Sequence, residues 1–320
     1  MLVFITDAKT VLAGASSGID ICIKTVIPSL FPFFILSTLL SNSMQGQSIS
    51  CLRPLGKLCG IPEGAESLLL LGVCGGYPVG AKCLYDAYSC RTIHRKDAQR
   101  MLGFCSNAGP SFIFGMTAAL FNSVIIPWIL WGIQIISMIM TGMILPNKSN
   151  DTCGNTRSVK MNNPMIPALK AMATVCGWIV MMRVMIFLLN RWILWCLPEY
   201  FSIAITGVIE LSNGCLEMHG LENSVLRYIL LSVFLSFGGV CVLFQTYSLI
   251  GDLGIRYYVI GKLMQTTIAV VLAFLTVPIV FPGNKCFAGC AVSAAICTGF
   301  VVLIRMYFKN NTGNYAPHAV

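Results

Sequence analysis

Apolar runs long enough to cross a bilayer, about 20 residues each, recur near 19–43, 102–122, 124–145, 168–197, 257–280 and 287–308. Two further apolar stretches, near 66–90 and 225–250, are interrupted by paired glycines. The first runs from Leu68 to Lys82 through Gly75, Gly76, Tyr77, Pro78, Val79 and Gly80, and the second from Leu230 to Gln245 through Gly238 and Gly239. Glycine and proline end helices, and a broken helix in lipid is tolerated only where its freed backbone groups are buried in protein or line a cavity. A matched pair of such breaks, one in each half of a chain, points to a transporter binding site near the bilayer midplane. The pattern therefore predicts an all-α polytopic membrane protein that moves a small solute.

The breaks also divide the chain. Residues 147–163 are polar and Asn-rich (Asn147, Asn150, Asn155, Asn162, Asn163) and form the one plausible linker. Each flank has the same order: a long apolar helix, a short amphipathic stretch, a Gly-Gly-broken segment and another apolar helix. The expected organisation is a first membrane repeat over 1–146, the linker 147–163, a second repeat over 164–282, and a final helix with a short tail over 283–320. The stretch 55–64 would match 205–214, and the break at Gly75-Gly76 would match that at Gly238-Gly239. If each broken segment dips in and returns on one side, the repeats are pseudo-symmetric and inverted. If the segments cross fully, residues 44–66 change side. The charge bias favours the re-entrant version.

Composition fixes the class. Hydrophobic residues make up 56% and charged residues 10% of the 320 residues, with mean hydropathy +0.79. Soluble domains carry about 25% charged residues. The net charge of +9 does not indicate nucleic acid, because the positive charges cluster in loops, as orientation in a membrane demands. Arg91, Arg95, Lys96 and Arg100 form one such loop and Lys148, Arg157 and Lys160 another, both expected on the cytoplasmic side. Glu199, Glu210, Glu217 and Glu222 mark the opposite pole. The 15 cysteines are scattered through apolar segments without a C-x-x-C pair and read as small packing residues. Residues 1–18 lack the layout of a cleavable signal peptide, so the first span is expected to act as its own insertion signal. No nucleophile–base pair, metal cluster or phosphate loop is visible, so neither enzyme activity, a metal nor a cofactor is expected.

Candidate binding residues follow from the breaks. Lys82 lies just after the first, at the start of a half-helix whose unpaired N–H groups favour an anion, and a buried ammonium is functional by default. Its alternatives are snorkelling to the interface or pairing with Asp86 one turn later. Gln245 occupies the corresponding place after the second break, as solute ligand or as a helix–helix hydrogen bond. Asn107 and Ser111 flank Gly109-Pro110, a polar interruption that either lines a cavity or kinks a helix for packing. Arg183, deep in an apolar run, demands a partner. Glu210 is the candidate, as a structural clamp or as part of the site. Asp20 and Lys24 read as an interfacial ion pair, and Trp128, Trp131, Trp192 and Trp195 as interfacial belts.

Four motifs in order carry a family resemblance. Pro28-Ser-Leu-Phe-Pro32-Phe-Phe, Gly75-Gly-Tyr-Pro-Val-Gly-Ala-Lys82, Phe104-Cys-Ser-Asn107-Ala-Gly109-Pro110-Ser111-Phe-Ile and Gly207-Val-Ile-Glu210-Leu-Ser-Asn-Gly214-Cys resemble the sporulation integral membrane protein YlbJ family, also called SpoVV, over nearly the whole chain. That family looks related to gate-domain proteins, which include concentrative nucleoside transporters and spore maturation membrane proteins. The resemblance implies a role in endospore formation, in the cell membrane or outer forespore membrane, and passage of dipicolinate, a small organic anion. Nucleoside transport and a non-catalytic assembly role with spore-envelope protein partners are the alternatives.

Overall fold

A computed structural model describes residues 6–44, 49–145 and 165–282, so the linker 147–163 and the span expected at 287–308 lie outside the described residues. Every regular element among the described residues is helical. Helix α1 (Ala8–Ile21) runs through a π turn (Cys22–Val26) into α2 (Ile27–Met44). The two parts meet at 53°, beside Pro28 and Pro32, where proline removes a helical hydrogen bond. There follow α3 (Arg53–Leu58), α4 (Glu66–Cys74), α5 (Val79–Ser89), α6 (Arg95–Leu102), α7 (Pro110–Leu120) and α8 (Ile125–Ile144). The second half holds α9 (Met165–Trp192), α10 (Glu199–Ile209), α11 (Leu211–Glu217), α12 (Ser224–Phe237), α13 (Gly239–Leu249) and α14 (Arg256–Val280).

Four segments are long and apolar enough to span a membrane: α8, α9, α12 with α13 as one 26-residue segment, and α14, with the bent α1–α2 as a fifth. The span expected at 102–122 is not one. The chain breaks between Leu102 and Pro110, and α7 restarts with Pro110 at its first turn and lasts 11 residues, the place where a missing N–H costs nothing.

The two Gly-Gly breaks are not equivalent either. At the first, the chain doubles back. A methyl on Gly80 would lie 2.9 Å from Gly72 Cα, whereas eight residues of straight helix would separate them by about 12 Å. At the second, α12 and α13 continue as one segment. The chain also doubles back between α10 and α11, where a methyl on Gly214 would lie 2.2 Å from Gly207 Cα.

Lipid offers no hydrophobic drive between helices, so close backbone approach holds such bundles together. Gly14 and Gly18 on α1 provide one approach: methyls there would lie 2.9 Å from Val184 Cα and 2.8 Å from Val180 Cα of α9. Gly103 and Gly261 provide another, with a methyl on Gly261 only 2.2 Å from Gly103 O. That crossing sets α14 against the 103–109 break. Arg100, counted above as a loop charge, is 3% exposed. It donates to Cys59 O at 2.8 Å, to Gly142 O at 3.3 Å and to Gly60 O. Asp20 and Lys24 do form an exposed pair at 3.8 Å.

Candidate functional site

The hairpin tip brings both glycine breaks to one point. A regular helix would pair the Leu235 and Ser236 carbonyls with N–H groups four residues on. Gly238 and Gly239, with φ of 81° and 85°, turn the chain out of that register. The Tyr77 hydroxyl takes the freed carbonyls instead, donating to Ser236 O at 3.1 Å and lying 3.3 Å from Leu235 O. Its ring covers Gly238 so closely that a methyl there would lie 3.0 Å from Tyr77 Cζ. Positive φ and close approach together demand glycine. On the other side of the tip, a methyl on Gly76 (φ 76°) would lie 3.0 Å from Gly109 N. Gly76, Tyr77, Gly109 and Gly238 therefore meet.

Beneath Tyr77 lies a lysine that the sequence reading did not select. Lys262 is 1% exposed, on the same face of α14 as Tyr258, Gln265, Ile268 and Ala269. Its Nζ donates to Asn107 Oδ1 at 3.2 Å and to Gln265 Oε1 at 2.7 Å. The ammonium also lies 4.9 Å from the centre of the Tyr77 ring and 6.0 Å from that of Tyr258, within range of a cation–π attraction. Gln265 Nε2 donates to Asn107 Oδ1 at 2.8 Å and, at 3.5 Å, to Gln134 Oε1 on α8. Asn107 Nδ2 donates to Phe104 O at 2.8 Å. Each of these four partners of the ammonium is neutral. Among the described residues Lys262 forms no ion pair, and an unneutralised buried charge costs several kcal/mol. An incoming anion would remove much of that cost.

Of the candidates named above, Asn107 is in this cluster and Tyr77 covers it. Gly75 caps the end of α4, Pro78 precedes α5, and Gly80 is pressed against Cys105 O, 2.3 Å from where its methyl would be. Gly239 packs on the second hairpin, 3.2 Å from Val208 O by the same measure. Lys82 is not free: it pairs with Asp86 at 2.5 Å. Gln245 is buried and donates to Cys241 Sγ at 3.2 Å. Ser111 is exposed on α7.

Arg183 and Glu210 do not form the expected ion pair. Arg183 Nε donates to Ser17 Oγ at 3.1 Å, while Glu210 is the N-cap of α11, accepting from Ser212 N at 3.1 Å and Asn213 N at 2.8 Å. Trp131 is not a simple belt residue, since its indole nitrogen is buried. The signal for the missed cluster was present. Lys262 and Gln265 are three residues apart, hence on one helix face, and Gln134 stands alone between Ile133 and Ile135 in a span.

The chain is similar to the sporulation integral membrane protein YlbJ of Bacillus subtilis (strain 168), 22% identical over an alignment covering 85% of this chain and 78% of that protein. No protein-family model and no solved structure matches the chain. The four-motif resemblance and this similarity agree. With four or five helices able to span, the chain is a multi-pass integral membrane protein related to one of sporulation.

Proposed function

We propose that this chain is a transporter or facilitated pore for a small organic anion during endospore formation, with dipicolinate, in the outer forespore membrane, as the solute the family resemblance favours. The observation that carries this reading is Lys262: a buried ammonium, surrounded by amides and aromatic faces and without an acidic partner among the described residues, where a hairpin tip and two helix breaks converge. Intramembrane charge of this kind marks solute pathways. The attracting cation is thus Lys262, while Lys82 is neutralised by Asp86. The two halves lie inverted in the membrane, and passage requires the tips of α4–α5 and α10–α11 to part around the site.

Dipicolinate flux into proteoliposomes tests this. Wild type is expected to show saturable flux, and Lys262→Met, which keeps an unbranched side chain one atom shorter and without its charge, to lose at least about tenfold, as for one charge-assisted hydrogen bond. Equal reconstitution of the two chains is the control. Flux by Lys262→Met equal to wild type would remove the site. Inhibition by uridine would favour the nucleoside-type reading. No wild-type flux under any imposed ion gradient would favour an assembly role with spore-envelope partners.

A further inference from the structure

A recess of about 10 Å³ beside the lysine cluster is lined by Asn107, Trp131, Gln134, Val73 and Met138 among others. That is room for one oxygen-sized atom. What it holds follows from the direction of the amide chain, which is anchored at both ends. A lysine only donates and a backbone carbonyl only accepts. Asn107 must therefore turn Nδ2 to Phe104 O and Oδ1 to Lys262, and Gln265 must turn Oε1 to Lys262. Gln265 then presents Nε2 to its other neighbours, and Gln134 must answer with Oε1. This leaves Gln134 Nε2 pointing away from the chain, buried and without an acceptor among the described residues. Trp131 Nε1, an obligate donor one turn earlier on α8, is likewise buried and unmatched.

We infer that Trp131 Nε1 and Gln134 Nε2 form a donor pair that seats one acceptor oxygen of the solute, a carboxylate oxygen. The inference rests on the anion-transport reading for its solute. Val73, Ala108, Ile135 and Met138 add apolar wall, and the one other polar side chain, Asn107, already has its Oδ1 engaged by Lys262 and Gln265 and its Nδ2 by Phe104 O. A carboxylate oxygen satisfies both donors with charge-assisted hydrogen bonds, whereas the oxygen of an uncharged amide would accept from them more weakly. The direction of the chain is set by Lys262, so the same ammonium that attracts the anion fixes the sign of the recess.

The test is calorimetric titration of the purified full chain in detergent with dipicolinate and with its uncharged diamide. Dipicolinate is expected to bind, and the diamide at least about tenfold more weakly. Trp131→Phe and Gln134→Leu are each expected to weaken dipicolinate about tenfold with unchanged melting temperature, and Gln134→Glu to abolish binding. Wild-type-like affinity in Trp131→Phe and Gln134→Leu, within twofold, would mean that the recess holds a buried water only and overturns the inference. So would equal affinity for the diamide, or no binding by wild type. Binding that depends on Trp131 and Gln134 without any flux would uphold the recess and overturn transport. Flux that depends on Lys262 but not on Trp131 would do the reverse.

Discussion

Lys82 and Lys262 are both buried ammonium groups, but among the described residues only Lys82 has a carboxylate within reach. Asp86, one turn along α5, neutralises it, so the pair behaves as a unit. Removing one partner strands the other, at a cost between the exposed and fully buried limits, about 1–3 kcal/mol. Lys82→Met is therefore expected to lower thermal stability and yield, while Lys82→Met with Asp86→Leu regains both and transports like wild type. A double variant that is stable yet inactive would return Lys82 to the binding site. Lys82 was conspicuous in the sequence because it follows a glycine break. Lys262 was not, because it lies near the start of an apolar run, where lysines ordinarily snorkel to the interface. Tertiary contacts, the Gly103–Gly261 crossing among them, bury it.

Hairpins and interrupted helices meet through glycines, and their spacing says which positions tolerate a side chain. A methyl on Gly72 would sit 1.8 Å from Cys105 O, and one on Gly207 2.1 Å from Phe234 Cζ, whereas Gly115 and Gly132 have nothing within 4 Å. The Cys105 carbonyl is backbone and the Phe234 ring is fully buried, so neither has room to yield, and even milder overpacking costs about 1–3 kcal/mol. Gly72→Ala and Gly207→Ala are expected to lose most of the folded yield in detergent, and Gly115→Ala to match or exceed wild type by up to about 1 kcal/mol. Uniform tolerance across the set would discount the hairpin packing. The helical class and the first break were legible from glycine and proline. The second hairpin was not, because its turn contains neither at the tip. Glu210 makes that turn with its side chain, capping two N–H groups of α11, as short polar caps do elsewhere.

At the scale of the molecule, the two halves are clasped at both ends of the α12–α13 segment. Its 26 residues at 1.5 Å each set the ends about 39 Å apart. At the α13 end, Tyr88 Oη donates to Asp252 Oδ2 at 3.1 Å, Arg95 Nη2 to Asp252 O at 2.6 Å and Gln99 Nε2 to Leu253 O. At the α12 end, Arg227 Nη1 donates to Leu120 O at 3.0 Å, and a His219 ring nitrogen lies 3.1 Å from Ala119 O. The Arg95–Asp252 pair is exposed, 55% and 58%, and such pairs contribute about 0–1 kcal/mol. That is too little to hold the fold, but enough to bias two nearly balanced conformations by up to about fivefold. A solute approaching from one side binds in proportion to the fraction open to that side. Asp252→Ala is therefore expected to lower the half-saturation concentration from the α13 end and raise it from the α12 end, by up to about fivefold. Arg227→Ala should do the opposite, with melting temperatures unchanged in both. Oriented proteoliposomes loaded from either side measure all four values. If both variants shift them in the same direction, the clasps are not opposed gates, and the halves do not part by turns at the two ends.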